Sequence, residues 1–185
     1  TTHRTVLVCA GTGFNGGDGL AAARHLAGWG IQVRALIMGR RDRLRQEPNT
    51  FAEIIERLGV AVGECDTPPA LSRYEAWFDE AGVIIDALLG IGMAGEAREP
   101  IASCISRINR SGKPVVAADI PSGLDGDTGV PRGDAVNATR TVTFGLAKHG
   151  CLSDRARPYV GELLVDGITI PSMCLSHPES LPANP

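Results

Sequence analysis

Residues 11–19, Gly11-Thr12-Gly13-Phe14-Asn15-Gly16-Gly17-Asp18-Gly19, lie between an apolar run, Thr5-Val6-Leu7-Val8-Cys9-Ala10, and a helix-like run, Leu20-Ala21-Ala22-Ala23-Arg24-His25-Leu26. A strand that feeds a glycine-rich turn into a helix is a place where a phosphate can sit. Glycine has no Cβ, so the backbone comes close, and the first N–H groups of the helix point at the anion. The rest of the chain reads as scaffold for this loop, or as further loops converging on it.

Working outward, the order of strand then helix repeats. The first helix is expected over about 19–29, with Asp18 as N-cap and Gly30 as its end. Residues 31–38 read as a second strand, 49–58 as an amphipathic helix stopped by Gly59, and 60–62 as a short strand. A helix is expected from Pro68-Pro69 to about Ala81, and another from Pro100 to Asn109. The runs Val83-Ile84-Ile85-Asp86-Ala87-Leu88-Leu89 and Pro114-Val115-Val116-Ala117-Ala118-Asp119-Ile120 are apolar on both faces. Residues 139–144 and 161–165 read as later strands. Strands of that kind alternating with helices predict an α/β fold, a parallel sheet covered on two sides. Ligands in such folds bind beyond the C-terminal ends of the strands.

The bulk numbers agree with one ordinary domain: 185 residues, 43% hydrophobic and 21% charged, read as a domain over 1–175 and a Pro/Ser-rich tail at 176–185. A net charge of −3 and 4% aromatics argue against a nucleic-acid partner. Five scattered cysteines, Cys9, Cys65, Cys104, Cys151 and Cys174, form no CxxC pair and read as reduced, in a cytoplasmic protein. No apolar stretch approaches the roughly 18 residues of a membrane span. The chain begins almost on its first strand, so a trimmed N-terminus is expected.

Gly11, Gly13 and Gly16 fit GxGxxG, which alone suggests a nicotinamide dinucleotide but is weak. The second strand ends in Met38-Gly39-Arg40-Arg41, without the acid that would hold the ribose hydroxyls, although arginines there suit a 2′-phosphate. Asp18 is the stronger objection, because an anion at the helix start repels phosphate unless a cation intervenes. The plainer alternative is that Asp18 caps a helix and Asn15 stabilises a turn. Asp86 and Asp119 interrupt buried runs, where a carboxylate is costly unless paired or coordinated. They read either as a cation or acid–base site or as caps for neighbouring loops. Ser122 lacks the GxSxG elbow of a hydrolase. His25 and His149 have no zinc-ligand spacing. Lys148, just after the strand ending at Gly145, reads as a phosphate contact or, more plainly, as a solvent-exposed lysine.

Four segments together resemble one family. They are residues 6–26, Asp86-Ala87-Leu88-Leu89-Gly90-Ile91-Gly92, Ala118-Asp119-Ile120-Pro121-Ser122-Gly123-Leu124-Asp125-Gly126-Asp127-Thr128-Gly129, and Thr141-Val142-Thr143-Phe144-Gly145-Leu146-Ala147-Lys148-His149-Gly150. In this order they are similar to the NAD(P)H-hydrate epimerases, the YjeF N-terminal domain. The resemblance implies a Rossmann-like three-layer α/β/α sandwich with a mainly parallel central sheet. It implies interconversion of the R and S forms of hydrated NADH and NADPH, with a separate or fused dehydratase returning the S form to active cofactor. It implies substrate contacts from Phe14, Asn15, Gly16, Gly17, Asp18, Gly90, Ile91, Gly92, Met93, Ala94, Gly95, Glu96 and Asp119, with Asp119 as the acid–base group. Asn15, Asp86 and Ser122 would hold one potassium ion per subunit, which fits their oxygen donors. A homodimer is also implied.

Two departures stand out. The family pattern reads Asn-Asn-Gly-Gly-Asp, and this chain has Phe14 at the first position, a ring in place of an amide. The N-terminal helices that help build the family's dimer have no counterpart here. The alternatives are a non-catalytic nucleotide-binding or scaffold module of the same fold, and a conventional NAD(P)-dependent oxidoreductase. Asp18 and the missing strand-end acid disfavour the latter.

Overall fold

Every strand pairing in the central sheet is parallel. The structure is a computed structural model that describes residues 5–93 and 95–171; Ala94, Cys174 and the 176–185 tail lie outside the described residues. The described residues hold seven strands: β1 (Thr5–Ala10), β2 (Val33–Met38), β3 (Ala61–Cys65), β4 (Ala81–Ala87), β5 (Val115–Ala118), β6 (Arg140–Phe144) and β7 (Glu162–Asp166). Their spatial order is β3-β2-β1-β4-β5-β6-β7. The chain winds outward in one direction from β1 and in the other from β4. That reversal leaves a crevice over the C-terminal ends of β1 and β4.

Side chains alternate across the sheet, as strand geometry requires. Leu7 and Cys9 join Leu36, Met38 and Ile84 on one face. Phe78 of α3 (Glu75–Glu80) and Ile105 and Ile108 of α4 (Ile101–Arg110) cover that face. Val8 and Ala10 join Ala35 and Ile37 on the other face. Leu20 and Ala23 of α1 (Phe14–Gly28) and Ala52 and Ile55 of α2 (Gln46–Arg57) cover it. The result is the three-layer sandwich expected, with a sheet parallel throughout.

Two local expectations need correction. The helix after Pro68-Pro69 splits into a 3-10 segment, Pro68–Tyr74, and the short α3. The Tyr74 hydroxyl donates to the Glu64 carbonyl, and its ring lies 2.4 Å from where a Cβ on Gly63 would stand, so the turn is tied to β3 before a helix can form. More importantly, α1 begins at Phe14 with Gly13 as N-cap, five residues before the expected start. Asp18 therefore lies inside the helix and does not cap it. Glycine propensity alone disfavours helix through Gly16-Gly17, but close packing overrides it. A Cβ on Gly16 would stand 1.9 Å from the Gly11 carbonyl oxygen. The Asn15 amide donates to the Leu89 carbonyl at 3.0 Å, which anchors the first turn.

Candidate active site

Two carboxylates stand where β4 and β5 end, and their surroundings differ. Asp86 is fully buried. The Ser122 hydroxyl donates to its Oδ1 at 2.6 Å and the Leu88 N–H to the same oxygen at 3.2 Å, while the Ser122 N–H donates to Oδ2 at 2.8 Å. Burial pushes Asp86 up to about 6, and the bonds from Ser122 and Leu88 only partly oppose it. Leu89 joins this group to α1: its N–H donates to Ser122 Oγ at 2.9 Å, and its carbonyl accepts the Asn15 amide. Asn15 Oδ1 is buried with no hydrogen-bond partner among the described residues. A Cβ on Gly11 would stand 2.0 Å from the Leu88 carbonyl oxygen, so only glycine lets these loops meet.

Asp119 follows β5 directly and takes a left-handed backbone, φ 66. Three donors converge on its Oδ1: the Phe144 N–H at 3.0 Å, the Thr143 hydroxyl at 3.3 Å and the Lys148 ammonium. Lys148 also donates to the Phe144 carbonyl at 3.0 Å. Oδ2 has no partner among the described residues. The Lys148 side chain is only 18% exposed, which corrects the expectation of a free surface lysine. Gly145, at φ 73, begins the turn after β6 that leads to it. Asp18 is raised from the usual carboxylate range, first by desolvation and then by the charge of Asp119.

Two cavities open at this end of the sheet. One, of about 490 Å³, is lined by Phe14, Asn15, Asp18, Arg45, Asp119 and residues 88–93. The other, of about 450 Å³, lies toward β6 and β7, with Lys148, Phe144 and Asp127 in its wall. Gly90, Ile91 and Met93 line both. Of the residues proposed to touch substrate, Gly16 and Gly17 lie in the packed body of α1, against Gly11 and Pro48. Gly95 and Glu96 line neither cavity, and Glu96 packs beside Gly133. Asp86 and Ser122 are buried and line neither cavity.

The family described as YjeF-related protein N-terminus matches residues 1–150. The chain belongs to this family. It is 46% identical over 171 residues to the bifunctional NAD(P)H-hydrate repair enzyme Nnr of Pyrobaculum aerophilum, a match that covers 92% of this chain and 34% of that protein. It is 38% identical over 165 residues to the NAD(P)H-hydrate epimerase of Lentilactobacillus buchneri, covering 89% of this chain and 73% of that one. The crystal structure of a yeast protein, ynu0, matches with a TM-score of 0.78 at 24% identity, over 92% of this chain and 69% of that chain. The chain spans about a third of the length of the bifunctional relatives it matches.

In this YjeF-related domain, residue-by-residue reading missed two side chains. Lys148 comes from a loop 29 residues after Asp119, and nothing local in the sequence ties the two. Arg45 places its guanidinium carbon 4.2 Å from the centroid of the Phe14 ring, across 31 residues of chain. The departure at position 14 was the available signal, because an exposed aromatic at a cavity lip invites a planar cation.

Proposed function

We propose that this domain interconverts the R and S forms of hydrated NADH and NADPH. The observation that carries the reading is Asp119, clamped through Oδ1 by Lys148, Phe144 and Thr143, with Oδ2 left unpartnered on the cavity lined by the glycine loop. The carbon to be inverted bears both a hydroxyl and a ring nitrogen. Inversion by loss and return of that oxygen, or by ring opening, needs one group that gives a proton and takes it back. Asp119, which lines the cavity and keeps Oδ2 without a partner among the described residues, is our candidate for it. Lys148 holds the carboxylate in place and offsets the like charge of Asp18. Residues 88–93 wall the cavity and restrict water.

The donor set beneath the glycine loop suits a potassium ion. Asn15 Oδ1 is a buried oxygen without a donor, and the Asp86 carboxylate and Ser122 hydroxyl are tied to it through Leu89. When bound there, potassium would supply positive charge that keeps Asp86 ionised and favours a phosphate-bearing substrate nearby. The same reading includes a dehydratase partner, fused or separate, and pairing of two copies. A cytoplasmic setting is supported by Cys9, Cys65, Cys104 and Cys151, all buried and free. No described helix is long and apolar enough to cross a membrane. Phe14, where the family has an amide, is the one observation favouring the alternative of a binding module without catalysis.

The test follows R-to-S conversion of hydrated NADH by chiral chromatography, with and without potassium. Conversion above the spontaneous rate is expected, falling about 10²- to 10⁴-fold in Asp119→Asn. Full epimerisation by a folded Asp119→Asn protein would remove Asp119 from the mechanism.

A further inference from the structure

We propose that Arg45, seated on the ring of Phe14, binds the diphosphate of the dinucleotide. The inference rests on the epimerase reading of the same cavity. That cavity carries two acids in its wall, Asp18 and Asp119. Hydrated NADH brings a diphosphate, so these walls alone repel their substrate. Lys148 spends its charge on Asp119 and its donors on Asp119 and the Phe144 carbonyl, so it offers the diphosphate no free donor. Among the described lining residues, Arg45 is the cation that remains.

Its placement is built by the fold. Arg45 is the N-cap residue of α2, and Gly17 lets Pro48 of that helix's first turn approach α1, 3.0 Å from where a Cβ would stand. The approach brings Arg45 over Phe14, which is 59% exposed at the lip of the cavity. A guanidinium whose carbon lies 4.2 Å from a ring centroid is held by the ring and not by a hydrogen bond, which leaves its N–H groups for a phosphate, a bidentate match. Arg45 forms no ion pair among the described residues, so those groups are not already used. The ring that replaced the family's amide thus serves as a platform, fixing the arginine before the ligand arrives and lowering the ordering cost.

The experiment measures calorimetric affinities of the whole chain for two probes. ADP-ribose carries the diphosphate, and nicotinamide riboside carries the ring end with no phosphate. Arg45→Gln should weaken ADP-ribose about tenfold to a hundredfold, the loss of hydrogen bonds to a charged group. It should move nicotinamide riboside less than about twofold. Arg45→Lys should keep part of the ADP-ribose affinity, Phe14→Asn should fall between wild type and Arg45→Gln, and the double variant should be no worse than Arg45→Gln alone. ADP-ribose affinity unchanged in Arg45→Gln, or equal weakening of both probes, overturns the proposal. The epimerase assay separates the two readings. A chain that does not epimerise yet loses ADP-ribose with Arg45 keeps this inference and sinks the reaction. An Arg45→Gln enzyme with unaltered KM keeps the reaction and sinks this inference.

Discussion

Asp86, within β4, hydrogen-bonds Ser122 from 36 residues away, and Asp125 follows that serine by three residues; both carboxylates are closed over by backbone and hydroxyl donors. Asp125 Oδ1 accepts the Thr128 N–H at 2.8 Å, the Asp127 N–H at 3.0 Å and the Thr128 hydroxyl at 3.0 Å. Its Oδ2 accepts Arg132 Nε at 2.6 Å. These bonds, led by the Thr128 N–H and followed by Arg132, hold it well below the usual carboxylate range. Asp86 has three comparable donors yet is pushed up to about 6. The difference is solvation and a cation. Asp125 has its own arginine and lines a cavity open to solvent, whereas Asp86 is fully buried and faces no cationic side chain among the described residues. Hydrogen bonds alone do not return a buried carboxylate to its ordinary range, and this asymmetry gives the potassium proposal its physical basis.

The largest effect is expected from removing the charge at Asp86. Asp86→Asn should abolish any potassium-dependent rise in melting temperature and slow epimerisation at least about tenfold, as loss of a group orienting a metal site does. Asp125→Asn should keep both. A potassium response that survives Asp86→Asn, read by thermal melts in potassium and choline salts, breaks the comparison. Ser122→Ala is the next largest. It removes one donor and keeps the Ser122 N–H, so a loss of about 1.5–3 kcal/mol is expected from denaturant midpoints, the worth of a hydrogen bond to a charged group. An unchanged midpoint would mean that water or another donor replaces the hydroxyl.

The smallest effect is the sharpest in sign. The folded-state pKa of Asp125 is depressed, so its contribution is full above its unfolded value near 4 and is lost as pH falls. The melting-temperature deficit of Asp125→Asn should be widest at neutral pH, begin to narrow below about pH 4 and close only as pH falls through the depressed folded-state pKa. The folded pKa of Asp86 is raised, so its ionisation weighs against the fold as pH climbs from about 4 toward about 6. A deficit in Asp125→Asn that is independent of pH would show that Arg132 and Thr128 act there only as neutral packing.

The parallel sheet and the two-sided core were legible because runs such as Val83–Ile85 and Val115–Ala118 are apolar on both faces, a pattern few other structures use. Asp86 and Asp119 were legible for the converse reason: a carboxylate in such a run is an exception that needs a cause. The start of α1 was not, because local propensity argues against helix through Gly16-Gly17 while contacts with Gly11 and Leu89 impose it. Lys148 escaped too. Its meeting with Asp119 depends on a left-handed backbone at Asp119 and on the turn beginning at Gly145, neither of which leaves a periodic trace. The apposition of Arg45 and Phe14 likewise depends on how closely α2 approaches α1.

Gly90, Ile91 and Met93 form a party wall between the two cavities. Chambers that share a wall are thermodynamically independent only if neither occupant displaces it. An occupant of one that shifts the partition changes the affinity of the other, and linkage requires the same factor in the reverse direction. The two ends of a single substrate would then act as each other's effectors, the seating of one half preparing the chamber for the other.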